Sequence, residues 1–390
     1  MKQLFVILLL TLSFSSCGQS SVTDSTEQLL ATVEQYKQED PKLISDIAQM
    51  LLVGFRGTEL SDTNHIVRDI KNWDIGGVIL FEYDGPSASR PRNITSPEQL
   101  TRLCHDLQYL SDKTLLISID QEGGKVNRLK ENYGFPRFIS AQEMARYGID
   151  SVRHYAQLTG KTLKNLGINL NFAPCVDVNT NPNCPVIGKI ERSFSSNPKL
   201  VSKYALCWIE NQGRNGVISC LKHFPGHGSS KKDTHAGLAD VSNTWSSIEL
   251  DPYKTLIASG KIDMIMTTHV FNAQLDSVYP ATLSRQTLTH LLRDSLHYTG
   301  VIITDDLAMG AMVQEYSYED ILERAINSGA DMLCLSNNGK EYNANIVPQT
   351  LEIVYQLVKE GRINRNRIEE AANRITSLKN KYSHYEEIYH

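Results

Sequence analysis

Short apolar runs recur along the chain, and each is followed by a polar or glycine-containing turn and then by a stretch with helical spacing. The eight runs span residues 50–55, 77–81, 114–119, 169–173, 217–221, 264–268, 301–304 and 332–335. Their β-branched, two-sided apolar character is typical of parallel strands that are covered on both faces, with helices as the crossovers. The pattern predicts an α/β fold.

Helical spacing is clearest in residues 96–110. Ser96 is placed to cap this helix and Pro97 to occupy its first turn, and leucines follow at three- and four-residue intervals. The same spacing predicts helices over residues 152–166, 284–296 and 318–327, each ended by a glycine at position 167, 300 or 329. Because the chain lacks a GxGxxG fingerprint, we expect a single (β/α)8 TIM-type barrel rather than an open doubly wound sheet.

Polar side chains follow six of the predicted strands. They are Asp120, Asp177, His223, His269, Asp305 and Ser336. In a barrel of this type the residues just past the strands converge on one end, and catalytic sites are built there. A ring of carboxylates and imidazoles therefore predicts a catalytic mouth.

The segment after the fifth run, residues 222–235, reads KHFPGHGSSKKDTH. Its proline and glycines exclude a helix, so we expect a shaped surface loop. Asp233 and His235 are two positions apart, and in an extended loop their side chains point the same way, so the carboxylate can orient the ring for proton transfer. The alternative is a capping aspartate beside an exposed histidine.

His223 and His227 stand four positions apart, as metal-binding histidines on a helix do. The intervening Pro225 and Gly226 prevent that helix, so no metal is expected.

Two further pairs carry candidate chemistry. Asp305 and Asp306 end the seventh run, where a carboxylate can act as a nucleophile and a second one can cap the next helix. Asp120 and Arg128 can grip sugar hydroxyls, or they can form a structural ion pair.

The charge and cysteine content of the chain limit the kinds of binding partner that we expect. A net charge of −5 and a pI of about 6.1 lack the basic excess typical of a nucleic-acid-binding protein, so we expect no nucleic acid and a neutral substrate instead. None of the cysteines forms a CxxC pair, which favours buried thiols. Cys175 and Cys184 flank one loop and leave a disulfide open.

The N-terminus has a basic start, a short apolar run and small residues before Cys17. This resembles a lipoprotein signal peptide over residues 1–17, with Cys17 as the lipidation site. Residues 18–40 are predicted to be a tether and residues 41–385 the catalytic barrel. We therefore expect an exported periplasmic or cell-envelope monomer whose only membrane contact is the lipid anchor.

Five ordered motifs carry a family resemblance: IDQEGGKVNR, NFAPCVDV, VIG followed by RSF, KHFPGHG followed by Asp-x-His, and ITDDLAMGAM. Over residues 48–370 the chain resembles family 3 glycoside hydrolases, specifically the β-N-acetylglucosaminidase group. The resemblance implies retaining hydrolysis of terminal β-linked N-acetylhexosamine, with peptidoglycan-derived saccharides as usual substrates and no metal or organic cofactor. It implies Asp305 as nucleophile, His235 as acid and base, and Asp233 as its partner. The implied sugar ligands are Asp120, Arg128, Arg192, Lys222 and His223.

Three departures from the family pattern stand out. Lys189, Ile190 and Glu191 replace a single residue before Arg192, which places its sugar contact in question. Lys125 replaces a usual arginine. Residues 229–232, Ser-Ser-Lys-Lys, replace a more acidic stretch, a change that can favour an anionic leaving group.

Two other functions remain alternatives. β-Glucosidases or β-xylosidases of the same family typically add a large domain, whereas this chain ends some eighty residues after TDDL, which favours the hexosaminidase. A lipoprotein that binds cell-wall sugars without turnover needs neither a nucleophile nor an Asp-x-His pair.

Overall fold

The computed structural model describes the backbone of residues 20–387 and the side chains of residues 25–382. Eight parallel strands are β1 Leu51–Gly54, β2 Gly77–Leu80, β3 Leu116–Ile119, β4 Leu170–Asn171, β5 Ile218–Phe224, β6 Met264–Thr267, β7 Val301–Ile303 and β8 Leu333–Leu335. Strands β1 to β7 pair one after another in sequence order, and β8 pairs with β1. An isolated bridge between Ile303 and Met332 joins β7 to the start of β8. The sheet is a nearly closed barrel, which confirms the predicted fold.

The strands are buried on both faces. Every residue of β1, β2 and β3 is buried, as the two-sided apolar runs predicted. Strand β4 is shorter than the predicted run 169–173, because asparagine side chains take the place of some backbone hydrogen bonds between β4 and β3. Oδ1 and Nδ2 of Asn169 bond the backbone of Ile117 and Leu115, and Asn171 bonds both backbone groups of Gln121.

The helices lie between the strands. They are α1 Ser20–Glu39, α2 Pro41–Gln49, α3 His65–Trp73, α4 Pro97–Tyr109, α5 Ala141–Arg146, α6 Ile149–Asn165, α7 Pro198–Gly213, α8 Asp251–Ala258, α9 Gly310–Val313, α10 Tyr318–Ser328, α11 Ile346–Lys359 and α12 Arg365–Glu387, together with a π-type segment Gln286–Ser295. Helix α4 confirms the predicted cap at Ser96, since the Ser96 hydroxyl accepts a hydrogen bond from Gln99 N.

Two of the three helix-ending glycines act as predicted. Gly167 and Gly329 take positive φ angles of 79° and 118°, which glycine adopts without strain. Gly300 does not end its helix, because the segment ends at Leu296 and His297 takes the positive φ of 56°. Gly300 is instead needed for space, since a Cβ there would lie 2.4 Å from the Tyr298 hydroxyl.

Helix α1 corrects the predicted tether over residues 18–40. Residues 20–39 are helical, Val33 is fully buried, and Tyr36 stacks on Tyr355 of α11 at 4.2 Å between ring centroids. The predicted signal over residues 1–17, including Cys17, lies outside the described residues. Within residues 20–387, no helix is long and apolar enough to cross a bilayer.

Candidate active site

A cavity of about 380 Å³ opens at the C-terminal end of the strands. Asp120 reaches it directly after β3, and Asp305 two residues after β7. Lys222 and His223 belong to β5 itself, which continues past the predicted end at residue 221. Seven of the predicted site residues line the cavity: Asp120, Arg128, Arg192, Lys222, His223, His235 and Asp305. The eighth, Asp233, contacts His235.

One wall of the cavity consists of positively and negatively charged side chains that pair with one another. Nζ of Lys222 lies 2.7 Å from Asp120 and 2.6 Å from Glu122. Arg192 donates from Nε and Nη2 to the two carboxylate oxygens of Glu122, at 2.9 and 2.7 Å, and Arg128 lies 3.4 Å from Asp120. Bidentate and charge-assisted bonds of this kind fix the orientation of each group.

These ion pairs keep the carboxylates ionised despite their surroundings. Burial raises the pKa of Glu122, but Arg192 and Lys222 outweigh it and bring the pKa to about 2. Burial acts on Asp120 in the same way, and there Lys222 and Arg128 leave the pKa well below its usual value. The wall therefore presents fixed charges to the cavity at neutral pH.

Arg192 stays on the cavity in spite of the extra residues before it. Gly188–Ile190 form a short helical turn, and Glu191 takes a φ of 60° and accepts a hydrogen bond from the Ser140 hydroxyl at 2.7 Å. The insertion is absorbed in this turn, upstream of Arg192. Lys125, the second departure, is exposed between the two strands of a hairpin and does not line the cavity.

His223 is held on two sides. Its Nδ1 lies 2.7 Å from Asp177, and Arg192 Nη2 lies 3.1 Å from its Nε2. Since the guanidinium can only donate, Nε2 accepts and Nδ1 carries the proton. Asp177 is fully buried and also accepts the backbone N–H of His227 at 2.7 Å, so this predicted mouth residue lies behind the cavity and orients His223.

Among the described residues, Cys175, Asp177 and His223 bring potential metal-ligand atoms within 4.8 Å of one another. These donors fit a metal poorly. Asp177 already accepts from His223 and His227, and the Arg192 guanidinium faces the free nitrogen of His223. Burial also raises the pKa of the Cys175 thiol well above its usual value, which opposes the thiolate that zinc requires.

Asp305 is the half-buried carboxylate on the opposite side of the cavity from this wall in strand order. Desolvation raises its pKa, but the electrostatic influence of the imidazoles of His269, His223 and His235 outweighs that effect, and the pKa lies below the usual value. Its Oδ1 also accepts the backbone N–H of Asp306 at 2.8 Å. Asp305 is therefore an ionised, fixed carboxylate at neutral pH.

The two residues beside this carboxylate are structural. Asp306 accepts from Ala308 N at 3.2 Å and from the Ser336 hydroxyl at 2.5 Å. It is not the predicted helix cap, because the next helix, α9, begins at Gly310 after Met309 and has no side-chain cap hydrogen bond. His269, predicted at the mouth, is fully buried and does not line the cavity. Its Nε2 donates to the backbone oxygen of Asp306 at 2.9 Å, and its Nδ1 faces Thr282.

Asp233 and His235 form the predicted pair. Nδ1 of His235 lies 2.7 Å from Oδ1 of Asp233, and its side chain is 72% exposed. The hydrogen bond that His235 donates to Asp233 is the main cause that raises the pKa of His235, and it is the main cause that lowers the pKa of Asp233, to about 2. The pair meets in a turn rather than in an extended loop, because Ala236 N donates to Asp233 O at 3.1 Å.

Cys175 and Cys184 are free and buried, so the open disulfide alternative is not found here. The Cys175 thiol points to Asp177 at 3.1 Å, and the Cys184 thiol points to the backbone oxygen of His227 at 3.4 Å.

Sequence reasoning missed two carboxylates of the site. Glu122 stands in the motif IDQEGGKVNR, yet its contacts to Arg192 and Lys222 join residues 70 and 100 positions apart, which spacing alone does not show. Glu82 also lines the cavity, and it lies 3.8 Å from Arg90, Arg128 and Lys130. Its position after the second predicted strand was the available signal.

Residues 42–378 match the family model described as glycosyl hydrolase family 3 N terminal domain. The chain is 34% identical to β-hexosaminidase A of Pseudoalteromonas piscicida, over 80% of this chain and 54% of that protein, so it spans about half of that relative. It is 33% identical to the β-hexosaminidase of Tolumonas auensis, over 74% of this chain and 83% of the other. A family 3 β-N-acetylglucosaminidase structure from Paenibacillus sp. str. FPU-7 aligns with a TM-score of 0.77 and 33% identity, over 87% of this chain and 62% of that one. The chain belongs to glycosyl hydrolase family 3.

Proposed function

We propose that the chain is a retaining β-N-acetylhexosaminidase that releases terminal β-linked N-acetylglucosamine from cell-wall-derived or related saccharides. The observation that carries this proposal is the presence, in one cavity, of an ionised, half-buried carboxylate, Asp305, and an exposed histidine with a raised pKa, His235. Relatives named β-hexosaminidase, at 33–34% identity, support the choice of sugar.

In the first step Asp305 attacks the anomeric carbon while His235 protonates the departing oxygen. Asp305 suits this role because its carboxylate is ionised and held by Asp306 N–H. His235 donates from Nε2, since Nδ1 is engaged by Asp233. The C–O bond to the leaving group breaks as the glycosyl–aspartate ester forms.

In the second step His235, now neutral, removes a proton from water as the water attacks the anomeric carbon and displaces Asp305. Two inversions at one carbon give net retention. The exposure of His235 suits both steps, because the ring must meet first the leaving group and then water.

The charged wall holds the sugar. Asp120, Arg128, Lys222 and Arg192 face the cavity with hydrogen-bonding capacity beyond their mutual contacts. His223 also lines the cavity, but its two ring nitrogens are engaged by Asp177 and Arg192, so a sugar hydroxyl would have to compete with Arg192 for Nε2. Phe172 and Met266 also line it and offer apolar surface to the sugar ring.

A comparison of chromogenic substrates tests the function. Wild type should hydrolyse 4-nitrophenyl N-acetyl-β-glucosaminide far faster than the corresponding glucoside or xyloside. Asp305→Ala should lose roughly 10³-fold or more in kcat, because no nucleophile remains. Asp294→Asn, an exposed carboxyl, is the matched control and should retain activity. Preference for the glucoside would favour the other branch of the family, and sugar binding without turnover would indicate a binding protein.

For the whole protein we further propose export as a monomeric lipoprotein anchored through Cys17, supported by the basic, apolar and small-residue order of residues 1–17. Palmitate incorporation in a bacterial host should be lost in Cys17→Ala. Equal labelling of both proteins would contradict the anchor.

A further inference from the structure

Glu249 lies beneath the loop that carries Asp233 and His235, and the function proposed above gives it no role. It belongs to a short helical turn, Ser247–Leu250, just before α8, and it is fully buried. A buried carboxyl is costly unless it is bonded or protonated, so its contacts require an explanation.

The loop backbone closes directly onto this carboxyl. Gly228 N donates to Oε2 of Glu249 at 2.9 Å. A Cβ at Gly226 would lie 2.7 Å from both Cβ and Oε2 of Glu249, and one at Gly228 would lie 3.4 Å from Oε2. Gly226 therefore allows an approach to Glu249 that a side chain would block, whereas a side chain at Gly228 would instead meet Val178 O, 1.8 Å from the Cβ position.

The base of the loop is anchored to buried groups and its tip is not. Trp245 Nε1 donates to Pro225 O at 3.1 Å, and Asn181 Nδ2 donates to Ser230 O at 3.0 Å. The next two residues, 231 and 232, are exposed. Beyond them the loop is fixed again where Ala311 N donates to Thr234 O at 3.1 Å. The Asp233–His235 pair is therefore held from two sides, by the contact of Thr234 with α9 and by the base of the loop, where Nε2 of His227 lies 3.4 Å from Oγ1 of Thr234.

The second carboxyl oxygen of Glu249 can still form a hydrogen bond at the base of the loop. Among the described residues, Oε1 of Glu249 and Oγ of Ser229 have no partner with hydrogen-bond geometry, and neither has Nδ1 of His227. The Ser229 hydroxyl nevertheless acts to lower the pKa of Glu249, so it faces the carboxyl. Burial is the largest cause that raises the pKa of Glu249, the charge of Asp177 acts in the same direction, and the resulting pKa is about 7.

We propose that Glu249 is a positioning residue for the acid and base: by holding the backbone at Gly226 and Gly228, it sets where His235 lies over the cavity. This role rests on the proposed function. Glu249 does not line the cavity, so any effect on turnover must act through the loop.

A double-mutant cycle with His235 tests this role. Glu249→Ala should lower kcat on a β-1,4-linked N-acetylglucosamine disaccharide roughly tenfold, with KM within about threefold, and should affect 4-nitrophenyl N-acetyl-β-glucosaminide less. In a His235→Ala background the same substitution should change kcat on the disaccharide by less than about twofold, because the group it positions is gone. Equal fold-losses in both backgrounds would overturn the role.

Two further variants keep the result interpretable. Glu249→Gln retains the volume and an acceptor for Gly228 N–H and should keep most of kcat, whereas Glu210→Ala, an exposed carboxyl on α7, should change nothing. If Glu249→Ala fails to fold, Glu249→Asp, which withdraws the carboxyl by one methylene, runs the same cycle. Absence of wild-type turnover would overturn the proposed function and this role together, while wild-type turnover with additive losses would overturn only the role of Glu249.

Discussion

His223 and His235 are each held through Nδ1 by an aspartate, but the two pairs differ in exposure. The side chains of His223 and Asp177 are 7% and 0% exposed, whereas those of His235 and Asp233 are 72% and 41% exposed. His223 also receives Arg192 at its other nitrogen, which leaves no site for proton transfer. Exposure and a free Nε2 therefore distinguish His235, the proposed acid and base, from His223.

The pH profile of turnover should follow the charge of Asp233. His235 must be protonated to act as an acid, and its hydrogen bond to Asp233 raises its pKa above 6.5. Asp233→Asn keeps an acceptor but removes the charge, so the alkaline limb of kcat/KM should move to lower pH by about one unit. Activity at pH 7.5 should then fall more than activity at pH 5.5.

This profile is best measured with the disaccharide substrate, because an activated aryl leaving group needs little protonation. Asp240→Asn is the matched control, since Asp240 is exposed and bonds only to Ser242. An alkaline limb that stays in place in Asp233→Asn would show that another group sets it.

Strand ends predicted Asp120, Asp305 and Ser336 on the cavity, because the carboxyl ends of barrel strands meet there. The same rule failed for His269, which is fully buried beside Asp306 and does not line the cavity. Successive residues of an extended chain face opposite sides, and the pattern of an all-apolar run does not show which side faces the axis.

Helix α1 illustrates how little apolar surface a docked helix needs. Its sequence is polar enough to indicate a tether, but Val33 is buried in the core, and Leu29, Leu30 and Tyr36 pack against it at helical spacing. The stripe is narrow because α1 lies on α2 and α11 rather than on the barrel strands. The average composition of the segment hides such a stripe, whereas the spacing of its apolar residues indicates it.

Removing the centre of that stripe should destabilise the protein without affecting catalysis. Val33→Ala deletes two fully buried methyl groups and should lower the free energy of unfolding by about 2 kcal/mol, with kcat unchanged. Denaturant-induced unfolding measures the difference. Glu34→Ala, on the exposed face, is the control, and equal midpoints for the two variants would mean that α1 is not docked in solution.

At the scale of the whole barrel, the two ends are built for different purposes. The end opposite the cavity is closed by α12 and by buried ion pairs, in which Arg293, Arg367 and Arg374 all contact the buried Asp331. Lys379 of α12 donates to Gln49 at 2.8 Å. Here the charges tie elements together, whereas at the cavity they face open space, as expected for an α/β barrel.

The closed barrel was predictable because eight strand-and-helix units leave few other topologies. The lengths of its strands were not, since β4 is shortened by the side chains of Asn169 and Asn171, and β5 is extended by three residues, of which Lys222 and His223 line the cavity. Both depend on contacts between strands, which a single sequence does not reveal.

The pH dependence of global stability should report the protonation of Glu249. Its pKa is raised from 4.5 to about 7 by burial, so between these values the folded state keeps a proton that the unfolded state releases. The stabilising contribution is complete below pH 4.5 and is lost as pH rises through 7. Glu249→Gln does not titrate, so wild type should lose up to about 3 kcal/mol of unfolding free energy relative to this variant between pH 5 and 8.

Comparing wild type with Glu249→Gln isolates this group, because all other titrating groups are common to both proteins. Lys379, whose burial lowers its pKa to about 7, acts in the opposite direction, since its contribution is lost as pH falls. The contribution of Lys379, and that of the carboxylates whose pKa is lowered, is the same in both proteins and cancels when wild type is compared with Glu249→Gln. Denaturant unfolding at pH 5, 6, 7 and 8 provides the measurement. Parallel curves for the two proteins would mean that Glu249 ionises at its ordinary pKa, and that water reaches the base of the catalytic loop.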